Sequence, residues 1–271
     1  MKGERNQPHH VSSSKDDVSW LVRLCLLGNF RLLVAGDLIP IHPGGKSEAL
    51  LSLLALQSGR RMPRERLVQT LWPSSDLALG LRSLNTLVYN LHKLLGTALN
   101  GAAPVLHEDG YYRLNSEAGI GVDVTNFDRF VADGDQLRQA GDTAATYEAY
   151  SCAVALYRGD LCFAADPHTI MERERLRARY LTLLALLGEY HYQAGDISTA
   201  LAYLWQLLVR DPCREDAHRL VMRCYVQRGE RAAALHHYQV CADVLRTEFD
   251  AAPEAATVAL FNQIRVEPDQ M

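Results

Sequence analysis

The chain has 271 residues, of which 48% are apolar and 22% charged, and this composition excludes a disordered or fibrous protein. Its net charge of -4 is unevenly divided, because residues 1–115 hold 13 Lys and Arg against 9 Asp and Glu, whereas residues 116–271 hold 15 against 23. The front part therefore suits a polyanionic partner better than the rear part does.

Membrane insertion and secretion are not expected from this sequence. Its apolar runs are far shorter than the roughly 18 to 20 residues of a membrane-spanning helix. Residues 1–19 are polar throughout and lack the apolar stretch of a secretory signal. We therefore expect a cytoplasmic protein with a disordered tail over residues 1–19. The six cysteines show no CxxC spacing, so they are expected to pack as small apolar side chains.

The first predicted elements are short strands followed by helices. Turn residues at Gly28-Asn29 and at 35–37 interrupt β-compatible runs and predict strands near 22–27, 30–34 and 38–41. Leucine spacing, proline starts and glycine stops predict three helices, which run from Leu50 to near Gly59, from Pro63 to Trp72, and from about Leu77 to Leu95, where Gly96 stops the last. A final hairpin over 105–114 turns at Asp109-Gly110. This order of elements predicts a winged helix-turn-helix over residues 20–116.

The sequence after Val122-Asp123 is helical and repeats itself at a period of 34 residues, the interval between Gly195 and Gly229. Positions that are small, bulky or proline in a tetratricopeptide unit fall on Gly188, Gly195, Ala200, Leu204 and Pro212. A following unit has Tyr225, Gly229, Ala234 and Tyr238, and an earlier one has Gly134, Gly141, Tyr150 and Ala153. About 20 extra residues near 158–171 predict a connection and a long helix from about Met171. We expect an all-α repeat domain over residues 122–266 and a mainly α fold overall, in which only the winged helix has small antiparallel sheets.

The third predicted helix has an apolar side and an opposite polar side. At 100° per residue, the predicted core side carries Leu84, Leu87, Val88, Leu91, Leu94 and Leu95. The opposite stripe consists of Arg82, Thr86, Tyr89 and Lys93, which are side-chain types that contact phosphates and base edges in a major groove. Asn85, Asn90 and His92 flank it. A polar stripe is also typical of any solvated helix face, so this pattern alone leaves both readings open.

Further candidate DNA contacts lie outside the third helix. The hairpin offers His107 and Arg113, and the start of the second helix offers Arg64 among neighbouring arginines, where cations and backbone amides can hold phosphate. The sequence contains no nucleophile-base motif, and its histidine pairs lack the spacing of a metal site. We therefore expect no enzymatic activity, no metal and no cofactor.

Read together, these motifs resemble the antibiotic regulatory proteins (SARPs), and the likeness covers about residues 21–265. An OmpR-type winged helix is indicated by Leu26-Leu27-Gly28, Phe30, Lys46, Leu50-Leu51, Arg64-Glu65, Leu71-Trp72-Pro73, Leu91 to Gly96, and Gly110-Tyr111 to Leu114. A bacterial transcriptional activator domain is indicated by Val122-Asp123, Phe127, Leu156 to Leu161, Glu172 to Leu176, Asp211-Pro212, Arg214-Glu215, His218-Arg219, Gly229, Ala234-Leu235 and Tyr238.

The resemblance implies an activator that binds repeated double-stranded DNA sites upstream of a promoter and assists RNA polymerase. It also implies that the protein is a homodimer, at least when it is bound to DNA. The chain departs from the family pattern at Leu91-His92, where Leu-Arg is usual, and so lacks a permanent cation there. It also lacks the tryptophan that commonly precedes the run Glu172 to Arg175. The alternatives are an interaction adaptor with a weakened DNA-binding domain, which the small positive balance and His92 favour, and a ligand sensor that uses the repeat surface.

Overall fold

The computed structural model describes residues 20–57, 61–162 and 167–266. The predicted tail over 1–19, the predicted helix end at Gly59, and part of the predicted connection after residue 158 lie outside these residues. The chain forms two compact units. The first consists of Met1–Leu26 and Phe30–Asp123, and the second of Leu27–Asn29 and Val124–Met271.

The first unit contains seven strands and three helices among its described residues. In chain order they are β1 (Val22–Cys25), β2 (Arg31–Val34), β3 (Asp37–Ile39), α1 (Lys46–Leu56), β4 (Met62–Pro63), α2 (Arg64–Leu71), α3 (Leu77–Leu95), β5 (Val105–Glu108), β6 (Tyr111–Leu114) and β7 (Ile120–Val122). The three predicted helices and the final hairpin are present, and α2, α3 and the hairpin have nearly the predicted bounds, whereas α1 begins four residues before the predicted Leu50.

These strands form two small sheets, with strand orders β3-β2-β1-β7 and β4-β6-β5. The prediction of a purely antiparallel first sheet is wrong. The strand β7 pairs in parallel with β1 and places Val22 opposite Ile120. Asp123 follows β7, and its carboxylate accepts hydrogen bonds from the Leu26 amide at 2.8 Å. The strand β4 was also not predicted. It pairs Met62 with Tyr112 of the β5–β6 hairpin, which is the wing of the winged helix.

The core of the first unit is built around α1, whose residues 50–56 are all buried. An apolar run without a polar side is typical of a helix that neighbours cover on every side. The helix α3 ends at Leu95, as predicted, but Gly96 does not end it by adopting a left-handed conformation. Gly96 has right-handed helical angles, and positive φ follows later, at Asn100 and Gly101. The Gly101 amide donates to the Gly96 carbonyl at 2.7 Å, which caps this end.

The described part of the second unit is helical apart from its connections. Its helices are α4 (Asp123–Ala140), α5 (Thr143–Leu156), α6 (Pro167–Gln193), α7 (Ile197–Arg210), α8 (Glu215–Gln227), α9 (Arg231–Phe249) and α10 (Ala255–Val266). The long helix thus begins four residues before the predicted Met171. No helix in the described ranges of either unit is long and apolar enough to cross a membrane.

Three glycines explain the helical pairs of the repeat. Gly141, Gly195 and Gly229 each adopt positive φ in the turn between two helices of a pair. Asp142 and Asp196 follow two of these glycines, and their carboxylates accept the Ala145 and Thr199 amides at 3.1 Å. A glycine that permits the left-handed turn, followed by a capping carboxylate, ends one helix and starts the next.

Small residues permit the close packing inside each pair. A Cβ atom at Gly134 would lie 2.4 Å from Tyr150, and one at Gly188 would lie 2.9 Å from Leu204. In the last pair, Ala234 is fully buried in a cluster with Met222 and the α10 residues Leu260 and Ile264. The predicted small and bulky positions therefore pack against each other, as a tetratricopeptide-like unit requires.

Candidate nucleic-acid interface

The helix-turn-helix consists of α2, the turn over residues 72–76, and α3. Asp76 begins α3, and its carboxylate accepts the Leu79 amide at 2.9 Å. The two helices meet closely, because a Cβ atom at Gly80 would lie 2.2 Å from Val68 Cγ1. Only glycine fits here without displacing a helix or moving the Val68 side chain from its rotamer. The orientation of α3 is therefore set by close contact with α2.

The inner side of α3 is narrower than predicted. Leu84, Leu91 and Leu95 are buried together with Gly80, whereas Leu87 and Val88 are half-buried. The predicted core position of Leu94 is wrong, since 46% of this residue is exposed. Successive helical residues are about 100° apart, which carries Leu94 beyond the buried side on which Leu91 and Leu95 lie.

The predicted DNA-reading stripe, Arg82, Thr86, Tyr89 and Lys93, lies on the outer side of α3 with all four residues exposed. Tyr89 is 67% exposed, a high fraction for an aromatic side chain. The Thr86 hydroxyl donates to the Arg82 carbonyl at 3.0 Å. Its proton is therefore used inside the helix, and its lone pairs and methyl group remain for an outside contact.

An open cleft of about 360 Å³ borders one edge of the stripe, lined by Lys46, Trp72, Arg82, Ser83, Thr86, Leu87 and Asn90. The Lys46 ammonium donates to the Leu71 carbonyl at 2.5 Å, where it holds the end of α2. Asn90 and His92 are exposed, as expected for residues that flank the stripe. The structure thus brings Arg82, Thr86 and Asn90 together around one concave surface.

The predicted cations at α2 and at the wing are paired with carboxylates. Arg64 lies 2.9 Å from Glu65, and this partner raises the arginine pKa and lowers the pKa of the Glu65 carboxyl. Arg113 lies 3.4 Å from Glu117. Exposed ion pairs of this kind contribute little stability, so phosphate can replace the carboxylate at small cost. The sequence pattern did not reveal this pairing.

His107 and Tyr112 connect the wing to α3. They are cross-strand partners in the β5–β6 hairpin, and their rings stack at 4.2 Å with an interplanar angle of 12°. The buried Tyr112 hydroxyl donates to Asn85 Oδ1 of α3 at 3.0 Å. Burial raises the pKa of Tyr112, which keeps the hydroxyl protonated as a donor. Sequence analysis missed this contact because its two residues are 27 positions apart and match no periodic pattern.

These features define a winged-helix DNA-binding protein joined to a helical repeat unit. Among the described residues, no cluster of three or more His, Cys, Asp or Glu could hold a metal ion. The exposed polar stripe, the adjacent cleft and the wing provide groups for binding a polyanion.

Comparison with known proteins gives the family. The family described as "Bacterial transcriptional activator domain" matches residues 122–265, which is more than half of the chain, and the chain belongs to this family. The regulatory protein DnrI of Streptomyces peucetius is 27% identical over 251 residues, which cover 86% of this chain and 91% of DnrI. The transcriptional regulator RedD of Streptomyces coelicolor is 28% identical over 221 residues, which cover 78% of this chain and 61% of RedD.

A solved structure shares the fold. It is Mycobacterium tuberculosis EmbR in complex with a low-affinity phosphopeptide, with a TM-score of 0.71 and 21% identity over 90% of this chain. The chain spans 65% of that EmbR chain. The mainly helical fold with small N-terminal sheets is thereby confirmed. The chain is a DNA-binding transcriptional regulator of the SARP type, a family of regulators and not of enzymes.

Proposed function

We propose that the protein activates transcription by reading promoter DNA with the stripe on α3. The observation that carries this proposal is that Arg82, Thr86, Tyr89 and Lys93 are all exposed on a helix whose opposite side is buried. In this proposal Lys93 neutralises a phosphate. Arg82 and Tyr89 reach base edges, and Thr86 contacts a thymine methyl group.

The flanking residues have supporting roles in the same proposal. Asn90 and His92 contact the DNA strand beside the recognition helix, and the wing residues His107 and Arg113 contact the adjacent groove or its backbone. Arg64 binds phosphate at the start of α2, where the positive end of the helix dipole adds to its charge. Its exposed partner Glu65 is displaced on binding.

We further propose that the protein binds repeated sites as a homodimer and contacts RNA polymerase, as the family resemblance implies. Such a regulator works in the cytoplasm, where its DNA is. The acidic balance of residues 116–271 supports a protein partner for the repeat unit, because this part is not suited to DNA. Light scattering with and without a DNA fragment that carries two sites tests the dimer.

The domain organisation is proposed as a tail over 1–19, a winged-helix domain over 20–116 and an activator domain over 122–266. Mild proteolysis is expected to release a stable fragment that starts close to Gly119 or Asp123. A first cut inside 141–250 would place the boundary elsewhere.

A genome-wide footprint of the full chain tests the proposed function. We expect enriched fragments that share a repeated motif and lie upstream of promoters. Transcription from these promoters should rise when purified protein is added to RNA polymerase in vitro. Enrichment without sequence preference would contradict DNA reading. It would favour the adaptor, in which the repeat unit acts through protein contacts and the winged helix does not read DNA.

A further inference from the structure

We propose that Asn85 donates a hydrogen bond to a DNA phosphate and that Tyr112 orients its side chain for this contact. This inference rests on the proposed function, because it adds a contact to the same interface. Asn85 flanks the stripe on α3, and its side chain is exposed. Its side chain has one acceptor and two donor hydrogens, and these have different partners in this arrangement.

The acceptor of Asn85 is committed to the protein. Its Oδ1 accepts the Tyr112 hydroxyl at 3.0 Å, and Tyr112 is only 2% exposed. The Tyr112 ring is itself fixed, because it stacks on the ring of its cross-strand partner His107 at 4.2 Å. An asparagine amide otherwise rotates broadly about its last torsion. The bond to Tyr112 therefore fixes the plane of the amide.

The two donor hydrogens of Asn85 remain available. Throughout the described ranges, the Asn85 amide nitrogen makes no hydrogen bond, and the residue is exposed. A donor that is already oriented loses little conformational freedom when it meets an acceptor, and this lowers the cost of binding. The geometry is that of a preorganised donor group directed away from the protein.

The position of Asn85 favours phosphate as the acceptor. A rotation of 100° per residue places Asn85 about 60° to one side of Arg82, whereas Asn90 lies about 80° to the other side. The contact with Tyr112 shows that the Asn85 side faces the wing hairpin. If α3 enters the major groove and the wing approaches the neighbouring groove, the sugar-phosphate strand between the grooves passes this side.

The test compares substitutions that distinguish the acceptor oxygen of the Asn85 amide from its donor nitrogen. Asn85→Asp retains an acceptor for Tyr112 but replaces the donor with a negative oxygen. Asn85→Ala removes both, and Tyr112→Phe removes only the orienting hydroxyl. Asn262→Asp is the matched control, because it adds the same charge at an exposed position of α10 in the second unit. Each full-length variant is titrated with a random-sequence duplex and with a footprinted promoter duplex.

We expect Asn85→Ala to weaken binding to both duplexes by about 3- to 10-fold, the value of one hydrogen bond. The salt dependence should stay that of wild type, because a neutral donor releases no counterion. Asn85→Asp should weaken both duplexes more than Asn85→Ala does, with an unfolding midpoint unchanged from wild type. Tyr112→Phe should weaken binding about 2- to 3-fold alone and add nothing in the Asn85→Ala background, because its effect passes through Asn85.

Three results would overturn this inference. One is an Asn85→Asp protein that binds both duplexes as tightly as the Asn262→Asp control. Another is a loss confined to the promoter duplex, which would assign Asn85 to a base edge instead of phosphate. The third is additivity of Asn85→Ala and Tyr112→Phe, which would show that the hydroxyl acts independently. A wild type that binds neither duplex would instead overturn the proposed function, and this inference with it.

Discussion

Gly80 is expected to control how closely α2 and α3 pack. A Cβ atom at this position would lie 2.2 Å from Val68 Cγ1 and 3.4 Å from both Cβ and Cγ2 of Val68. Ordinary contacts between carbon atoms are about 3.5 to 4.0 Å. Val68 is only 2% exposed and lies in a helix, where valine strongly prefers one rotamer. Gly80→Ala therefore forces the two helices apart by more than about 1 Å or moves Val68 from its preferred rotamer.

Two opposing effects set the size of the change. Overpacking of a filled core costs about 1 to 3 kcal/mol, whereas alanine in place of glycine favours a helix by about 1 kcal/mol. A contact of 2.2 Å belongs to the upper part of the overpacking range, so the net expectation is a loss of roughly 1 to 2 kcal/mol in the free energy of unfolding. DNA affinity should fall as well, because α2 and α3 are then displaced from each other.

A double-mutant cycle isolates the Gly80–Val68 contact. Urea unfolding is measured for wild type, Gly80→Ala, Val68→Ala and the double variant. Val68→Ala alone should cost about 1 to 3 kcal/mol because it leaves a cavity. The double variant should cost about 1 to 2 kcal/mol less than the sum of the single variants, since the cavity receives the new methyl group. A Gly80→Ala protein as stable as wild type, or strict additivity, would refute this reasoning.

Three further predictions concern buried groups. Replacing Ala200 or Ala234 with Leu should lower the free energy of unfolding by roughly 1 to 3 kcal/mol, since both are fully buried; unchanged thermal melting of both variants would contradict the repeat register. Burial lowers the pKa of His237 to about 4 from its ordinary 6.5, so stability is retained above pH 6.5 and falls by about 3 kcal/mol as the pH drops to 4. His218 Nε2 donates to the Pro212 carbonyl at 2.8 Å, so the Nδ1 of neutral His218 accepts from His237 Nε2 at 3.0 Å. His237→Gln can still donate to His218 Nδ1 but does not titrate, so it should show a weaker pH dependence of urea unfolding, and an equal dependence would exclude His237 as the cause. Ser52→Ala should raise the unfolding free energy by about 1 kcal/mol, because Ser52 Oγ is buried without a hydrogen-bond partner in the described residues; a lower urea midpoint would count against this.

Local sequence signals predicted the regular parts of the fold well. The bounds of α3 were predicted from its leucine spacing and from Gly96, and the structure has the same bounds. The capping carboxylate of Asp76 was recognised only in the structure. The helical repeat was predictable from the spacing of the glycines in its turns, because each of these glycines adopts a backbone conformation that other residues rarely adopt. The stripe on α3 was predictable because a helix with one buried side must expose the other.

Contacts between distant residues were not predictable in this way. The strand β7 has only three residues, and its pairing with β1 depends on a segment nearly 100 positions earlier. The bond between Asn85 and Tyr112 likewise has no periodic signal. Leucine spacing alone predicted too wide a buried side for α3, which wrongly included Leu94. Spacing does not show how far the neighbouring elements cover the helix.

The salt dependence of DNA binding tests the central claim that the stripe on α3 reads DNA. Wild type, Arg82→Ala, Lys93→Ala and their double variant are titrated against promoter and random duplexes at several salt concentrations, with circular dichroism to confirm folding. Arg138→Ala, which removes an exposed cation from α4, is the matched control. The loss of Lys93 should weaken binding to both duplexes and lower the magnitude of the salt slope by about 0.9, while the loss of Arg82 should also reduce the preference for promoter DNA. If wild type shows no such preference, or if the double variant binds as tightly as wild type, the stripe does not read DNA.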